Sequence, residues 1–119
     1  MTTLEYTTTG LRLRFPGWES TMAGRSTFTA AAADIRGATT EPGWTSEILG
    51  IRSGLVVSGF RKLGVFTHPS GTRRLVSMTR GLPLLRVHLD RGATDFDEVL
   101  VSTPDAERIA RSIHEGARR

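Results

Sequence analysis

The sequence predicts a mainly β domain: a curled antiparallel sheet or a small partly open barrel of about seven strands, capped by one C-terminal α-helix. Three observations predict it. Short segments with an apolar residue at every second position recur along the first hundred residues, as in "LRLRF" at 11–15 and "LLRVHL" at 84–89. That period places alternate side chains on opposite faces of a strand. The connections between segments are turn-like and too short for the crossover helices that repeated parallel pairs require, so antiparallel pairing is expected throughout. After Ser102 the period lengthens to that of a helix.

The elements follow in order. "LEYTTTG" is a candidate first strand, turning near Thr9-Gly10 into Leu11, Leu13 and Phe15, which alternate with Arg12 and Arg14. That second strand is half-buried with a basic outer face. "RSTFTA" at 25–30 favours a strand through Thr27, Phe28 and Thr29. The run Ala30–Ala33 reads as a single helical turn or a connector, and "DIRGATTE" at 34–41 as a short strand that Pro42-Gly43 ends. Thr45 or Ser46 caps a short helix closed by Gly50. "LVVSGF" at 55–60 favours a strand, with Gly59 marking a bulge or a close packing point. "GVFTHP", "RRLVSMT" and "LLRVHL" continue the strands, with turns at "PSG" and "RGLP" between them. "RGATD" is read as a loop and "FDEVLVS" at 96–102 as the last strand. In "TPDAERIARSIHEGARR", Thr103 takes the N-cap, Pro104 the first helical position and Asp105 the first turn. Ala106, Ile109, Ala110 and Ile113 then form one narrow apolar stripe that needs a sheet to cover.

The 119 residues fit a single domain over 1–119, with its core at about 4–114. Hydrophobic residues at 38% and charged residues at 24% are ordinary for a folded soluble chain. With no cysteine there is no disulfide, thiol nucleophile or thiolate metal site, which suits a reducing cytoplasm. No signal peptide or apolar run of spanning length is read. The net charge of +4 is uneven: residues 61–91 hold seven basic residues and only Asp90 as an acid. Such a field attracts anions.

Several passages together resemble small bacterial pleckstrin-homology-like domain proteins common in actinobacteria. "LRLRF" is similar to an early strand of that family, and "ADIRGATTEPGW" to its strand, proline or glycine, then tryptophan passage. "LGIRSGLVVSGF" resembles its glycine-punctuated arginine segment through Gly50, Arg52, Gly54 and Gly59. "LLRVHL" followed by "FDEVLVSTPDAERIARSI" resembles its last strands and proline-started helix. The chain departs from the family where Val56, Val57 and Ser58 replace a proline-glycine pair. The resemblance implies a PH-like fold, which hosts lipid, peptide and assembly roles without assigning one.

Candidate sites are few. No Gly-rich phosphate loop, HExxH pair or GxSxG elbow is present. His68, His88 and His114 fall in separate elements, so no metal site is expected. Asp90, Asp95, Asp97 and Glu98 cluster, and Asp95 with Asp97 has the spacing of a carboxylate pair, but an acidic loop before a strand has the same composition. Ser77 and His88 are a conceivable serine–histidine pair. Trp18 and Trp44, each after a Pro-Gly pair, read as lids on the core or as partner contacts. Nucleic acid is not the expected partner, because only Phe60 and Phe66 lie near the basic residues. Arg61, Lys62, Arg73, Arg74 and Arg80 form the candidate anion or partner surface, two pairs flanking a hairpin tipped by "THPSG". The expected function is a non-enzymatic binding or assembly module, without cofactor, for a protein partner or a second copy. Peripheral attachment to anionic lipids through 61–80 is the alternative.

Overall fold

The computed structural model describes residues 3–15, 27–41, 51–57, 61–68, 70–79 and 81–117, with side chains described outside 51–57, 61–63 and 116–117. The expected short helix at 45–50, Gly59, Phe60, Arg80, Trp18 and Trp44 lie outside them. Within them is a mainly β domain with a C-terminal α-helix. The strands are β1 (Thr3–Thr7), β2 (Gly10–Arg14), β3 (Thr27–Ala31), β4 (Ile35–Glu41), β5 (Ile51–Val57), β6 (Arg61–Thr67), β7 (Arg73–Thr79), β8 (Leu84–Leu89) and β9 (Glu98–Ser102). A one-turn helix α1 (Arg91–Thr94) joins β8 to β9, and α2 (Ala106–Ala117) ends the chain.

The nine strands make two sheets, one of three strands in the order β1-β2-β3 and one of six in the order β4-β8-β9-β7-β6-β5. This corrects three parts of the expectation. Nine strands lie among the described residues, they do not form one layer, and they are not all antiparallel, because β7 and β9 pair in parallel. The larger sheet is open: among the described residues, no ladder joins its end strands β4 and β5. It is neither closed nor strongly curled. The short turn after β7 leads into an antiparallel β8, but it leaves a strand's width between them, and β9 returns to fill the gap. Val99, Leu100 and Val101 are all buried, at 1% exposure or less. A strand covered on both faces reads as a continuous apolar run, which is what "VLV" is. Ser102 fixes the far end of β9, its Oγ accepting from the Thr79 amide at 2.8 Å and donating to the Thr79 carbonyl at 3.2 Å.

The alternation expected in the first two strands holds. In register, Leu4, Leu13 and Phe28 form one inward row and Tyr6, Leu11 and Ala30 the next. They join Leu85, Val87, Val99 and Val101 of the larger sheet in one core. The stripe of α2 completes it, with Ala106, Ile109, Ala110 and Ile113 all buried as expected. That helix packs on β4 and β8. Its start matches the expected cap, with Thr103 Oγ1 accepting from the Asp105 amide at 3.2 Å. Phe96 is fully buried between the sheets, its ring edge-on to Phe28 at 5.5 Å between centroids. A smaller cluster of Phe66, Val76, Met78, Leu84 and Leu100 is buried on the opposite face of the larger sheet.

Two local readings are refined. The Ala-rich run becomes a single 3-10 turn, Ala32–Asp34. The "RGATD" loop is instead the helical turn α1, because Asp90 caps it by accepting from the Gly92 amide at 3.0 Å.

Gly10 shows how tightly β2 and β3 meet. Its φ is +147°, and a Cβ there would sit 2.1 Å from the Ala30 carbonyl oxygen. Gly71 has a φ of +97° but open space around the same position. Gly71→Ala therefore carries backbone strain alone, about 1–3 kcal/mol. Gly10→Ala adds a collision with backbone that cannot swing aside. Urea denaturation of both variants is expected to show the larger loss at Gly10, and equal losses would contradict the close approach.

Candidate functional site

The expected basic surface is divided by the fold. Arg61 and Lys62 open β6, opposite Thr79 and Met78 of β7 in register. Arg73 and Arg74 open the other end of the hairpin at β7, opposite Thr67 and Phe66. The two pairs thus lie at opposite ends of the β6–β7 ladder, and Arg80 lies outside the described residues.

Arg73 and Arg74 are also neutralised internally. Arg73 Nη1 donates to Asp95 Oδ2 at 2.6 Å, its guanidinium lies 5.0 Å from the centre of the Phe96 ring, and its amide donates to Asp97 Oδ2 at 2.8 Å. Arg74 points to the other face, where its Nε donates to Glu98 Oε1 at 2.7 Å. Asp97 is shared with Arg91, at 3.3 Å. Asp95 and Asp97 are therefore ion-pair partners of arginines. Arg73 comes to Asp95 from 22 positions earlier, a pairing that sequence spacing alone could not show, while Arg91 reaches Asp97 from only six positions away.

Glu98 is the centre of a network across one face of the larger sheet. It receives Arg74, Arg86 Nη1 at 2.8 Å and His88 Nδ1 at 3.1 Å, while Arg86 Nη2 also reaches Glu41 at 3.2 Å. The ladder explains it: Glu98 lies between Arg74 of β7 and His88 of β8 in register, with Arg86 two residues along. The Arg74, Arg86 and Glu98 side chains are each under 15% exposed. Burial alone raises the Glu98 carboxyl. The hydrogen bond from Arg74 and the charges of Arg86, Arg74 and His88 outweigh it and hold the group below its ordinary 4.5. Glu41 is less well served, since its Oε2 is buried without a hydrogen-bond partner among the described residues.

The other histidines are occupied locally. His68 Nδ1 lies 2.9 Å from Ser70 Oγ in the hairpin tip. His114 Nε2 is 2.7 Å from the Ala38 carbonyl, and since a carbonyl only accepts, that nitrogen carries the proton. The three histidines are not brought together, and among the described residues no group of acids and histidines has metal-holding geometry. Ser77 and His88 do not meet either: β9 separates their strands, and Ser77 shares the face of Leu75 while His88 faces Glu98.

Among the described side chains, the arginines without an ion pair lie elsewhere. Nine arginine side chains are described, and seven have a carboxylate partner. Arg36 pairs with Asp90, Arg108 with Asp105 and Arg111 with Glu107, besides the four above. The two without an ion pair among the described residues are Arg12 and Arg14, both exposed on the outer face of β2. In register, Arg14 lies between Thr3 and Thr27, and Arg12 between Glu5 and Thr29. An open recess of about 280 Å³ continues this face over Gly10, lined by Thr7, Thr9, Arg12 and Thr29 among others. The "LRLR" alternation was the signal for it, and a count of basic residues by segment overlooked it.

Compared with family models, curated proteins and solved structures, the chain matches none. Among the described residues no helix is long and apolar enough to cross a membrane.

Because the folded Glu98 sits below its ordinary value, its contribution to stability is complete above that value and is lost as pH falls through the lowered one. Glu98→Gln is expected to lose about 1–3 kcal/mol at neutral pH. The gap to the parent should close as the pH drops below about 4. Denaturant titrations at several pH values check this, and a gap that persists at acid pH would contradict it.

Proposed function

We propose that this chain is a non-enzymatic binding module that takes an extended segment of a partner protein along the open edge of β1. One observation carries the reading. The inward rows of the three-stranded sheet lose burial toward β1: Leu13 and Phe28 are 1% and 4% exposed and Leu11 and Ala30 are 2% and 4%, while Leu4 and Tyr6 in the same rows are only partly buried. The sheet stops one strand short of sealing its core. A strand laid beside β1 would cover Leu4 and Tyr6 and pair backbone groups that have no ladder on that side among the described residues.

Two of the other three sheet ends, β4 and β3, support this choice; the side chains of the third, β5, lie outside those described. β4 lies against α2, with His114 bonded to its Ala38 carbonyl. On β3 the inward residues Phe28 and Ala30 are already buried. Attachment to anionic lipids through 61–80 has less behind it, because Arg73 and Arg74 serve acids of the chain itself. The PH-like reading belongs to the same proposal. A terminal helix laid on a β layer supports it, and the parallel β9 departs from the antiparallel layer it implies. The absence of cysteine supports a cytoplasmic setting.

Selection from a library of random twelve-residue peptides, followed by amide shift mapping on the full chain, tests the proposal. Selected peptides are expected to shift Thr3–Thr7. Shifts confined to α2 or the hairpin at 68–72, or no selection above background, would overturn it.

A further inference from the structure

We infer that the segment received by β1 is acidic on its outward side, with a carboxylate in the row of Thr3 and Arg14. The inference rests on the reading of β1 as the receiving edge and adds the partner's chemistry. The chain compensates its other described arginine side chains with its own acids, and leaves Arg12 and Arg14 without an ion pair among the described residues. Those two share one strand and one face, and that strand is the neighbour of β1. An added strand lies one spacing of about 4.8 Å beyond β1.

The rows decide which arginine reaches it. In the row Thr3–Arg14–Thr27 the intervening residue is small and uncharged, so the Arg14 charge acts on a carboxylate of the added strand with no competing charge between them. In the row Glu5–Arg12–Thr29 the intervening residue is itself an acid, and it repels a second one. The fitting segment therefore carries Glu or Asp beside Thr3 and a basic or neutral residue two positions along, beside Glu5. This mixed pattern fits a polypeptide. A phosphate backbone or an anionic bilayer offers uniform negative charge, and the outward face has no aromatic residue for a base to stack on.

Two synthetic peptides test it. Both alternate valine and threonine and differ only at the central outward residue, Glu in one and Lys in the other. Titrated into the full chain and followed by amide shifts at β1, the Glu peptide is expected to bind about two- to fivefold tighter at low salt. Arg14→Glu should reverse the order, and Arg14→Ser should abolish the difference without adding charge. Equal affinities, a Lys preference in the parent, or an order unchanged in Arg14→Glu would overturn the inference, and β1 shifts in those cases would leave the edge reading standing. If neither peptide moves β1, both readings fall. Sedimentation of the chain alone is the control for a second copy: self-association that protects the β1 amides would name that copy as the occupant and overturn the acidic segment.

Discussion

The fold depends on one apolar core shared by two sheets that exchange no strand pairing among the described residues. What joins them is contact: the inward rows of β1, β2 and β3 against the inner face of β8 and β9, Phe28 against Phe96, and the α2 stripe closing the remaining side. Fully burying a residue the size of Ile109, Ile113 or Leu11 contributes about 1.5–3 kcal/mol. The association therefore rests on about a dozen such side chains, and no ladder holds the small sheet if they are lost. The same arrangement explains its incomplete edge. Three strands are enough to roof the core above β8 and β9, and the roof thins out at Leu4 and Tyr6.

Charge follows from this geometry. The outer face of the larger sheet brings β7, β9, β8 and β4 side by side, so Arg74, Glu98, Arg86 and Glu41 meet in sequence across it. A partly desolvated arginine needs a carboxylate partner, and a partly desolvated carboxylate needs several donors. The β8–β9 connection supplies Asp95 and Asp97 to Arg73 and Arg91 in the same way. Much of the basic excess in 61–91 is thus spent inside the molecule. The three strands of the small sheet have only Glu5 as an acid on their outer face, and their two arginines have no ion pair among the described residues. Net charge along the sequence and usable charge on the surface are consequently different quantities here.

The elements were legible in the sequence because they rest on local period. Leu11, Leu13 and Phe15 alternate with arginines, and Ile109 and Ile113 recur at helical spacing beyond a Thr-Pro start. Their assembly was not legible. Turn and spacing signals in "FDEVLVS" do not tell a hairpin strand from one inserted in parallel, since insertion depends on the gap left between β7 and β8. The continuous apolar Val99-Leu100-Val101 was the available hint, because an alternating half-buried strand would have shown a polar residue there. The candidate surface was misplaced for a related reason. Arginines close in sequence were summed, while their partners Asp95, Asp97 and Glu98 lie on another strand or loop. The outer face of Arg12 and Arg14 was legible as a basic face, but its lack of compensation is a property of the folded neighbours.

A core shared in this way requires the two sheets and α2 to unfold as one unit. Native-state amide hydrogen exchange on Ile109→Ala, compared with the parent, measures this directly. The shared core predicts that the slow amides of β2, β8 and β9 lose protection together and by the same factor, although β2 lies in the other sheet. Loss of protection confined to α2, or to α2 and the larger sheet with β2 unchanged, would contradict it.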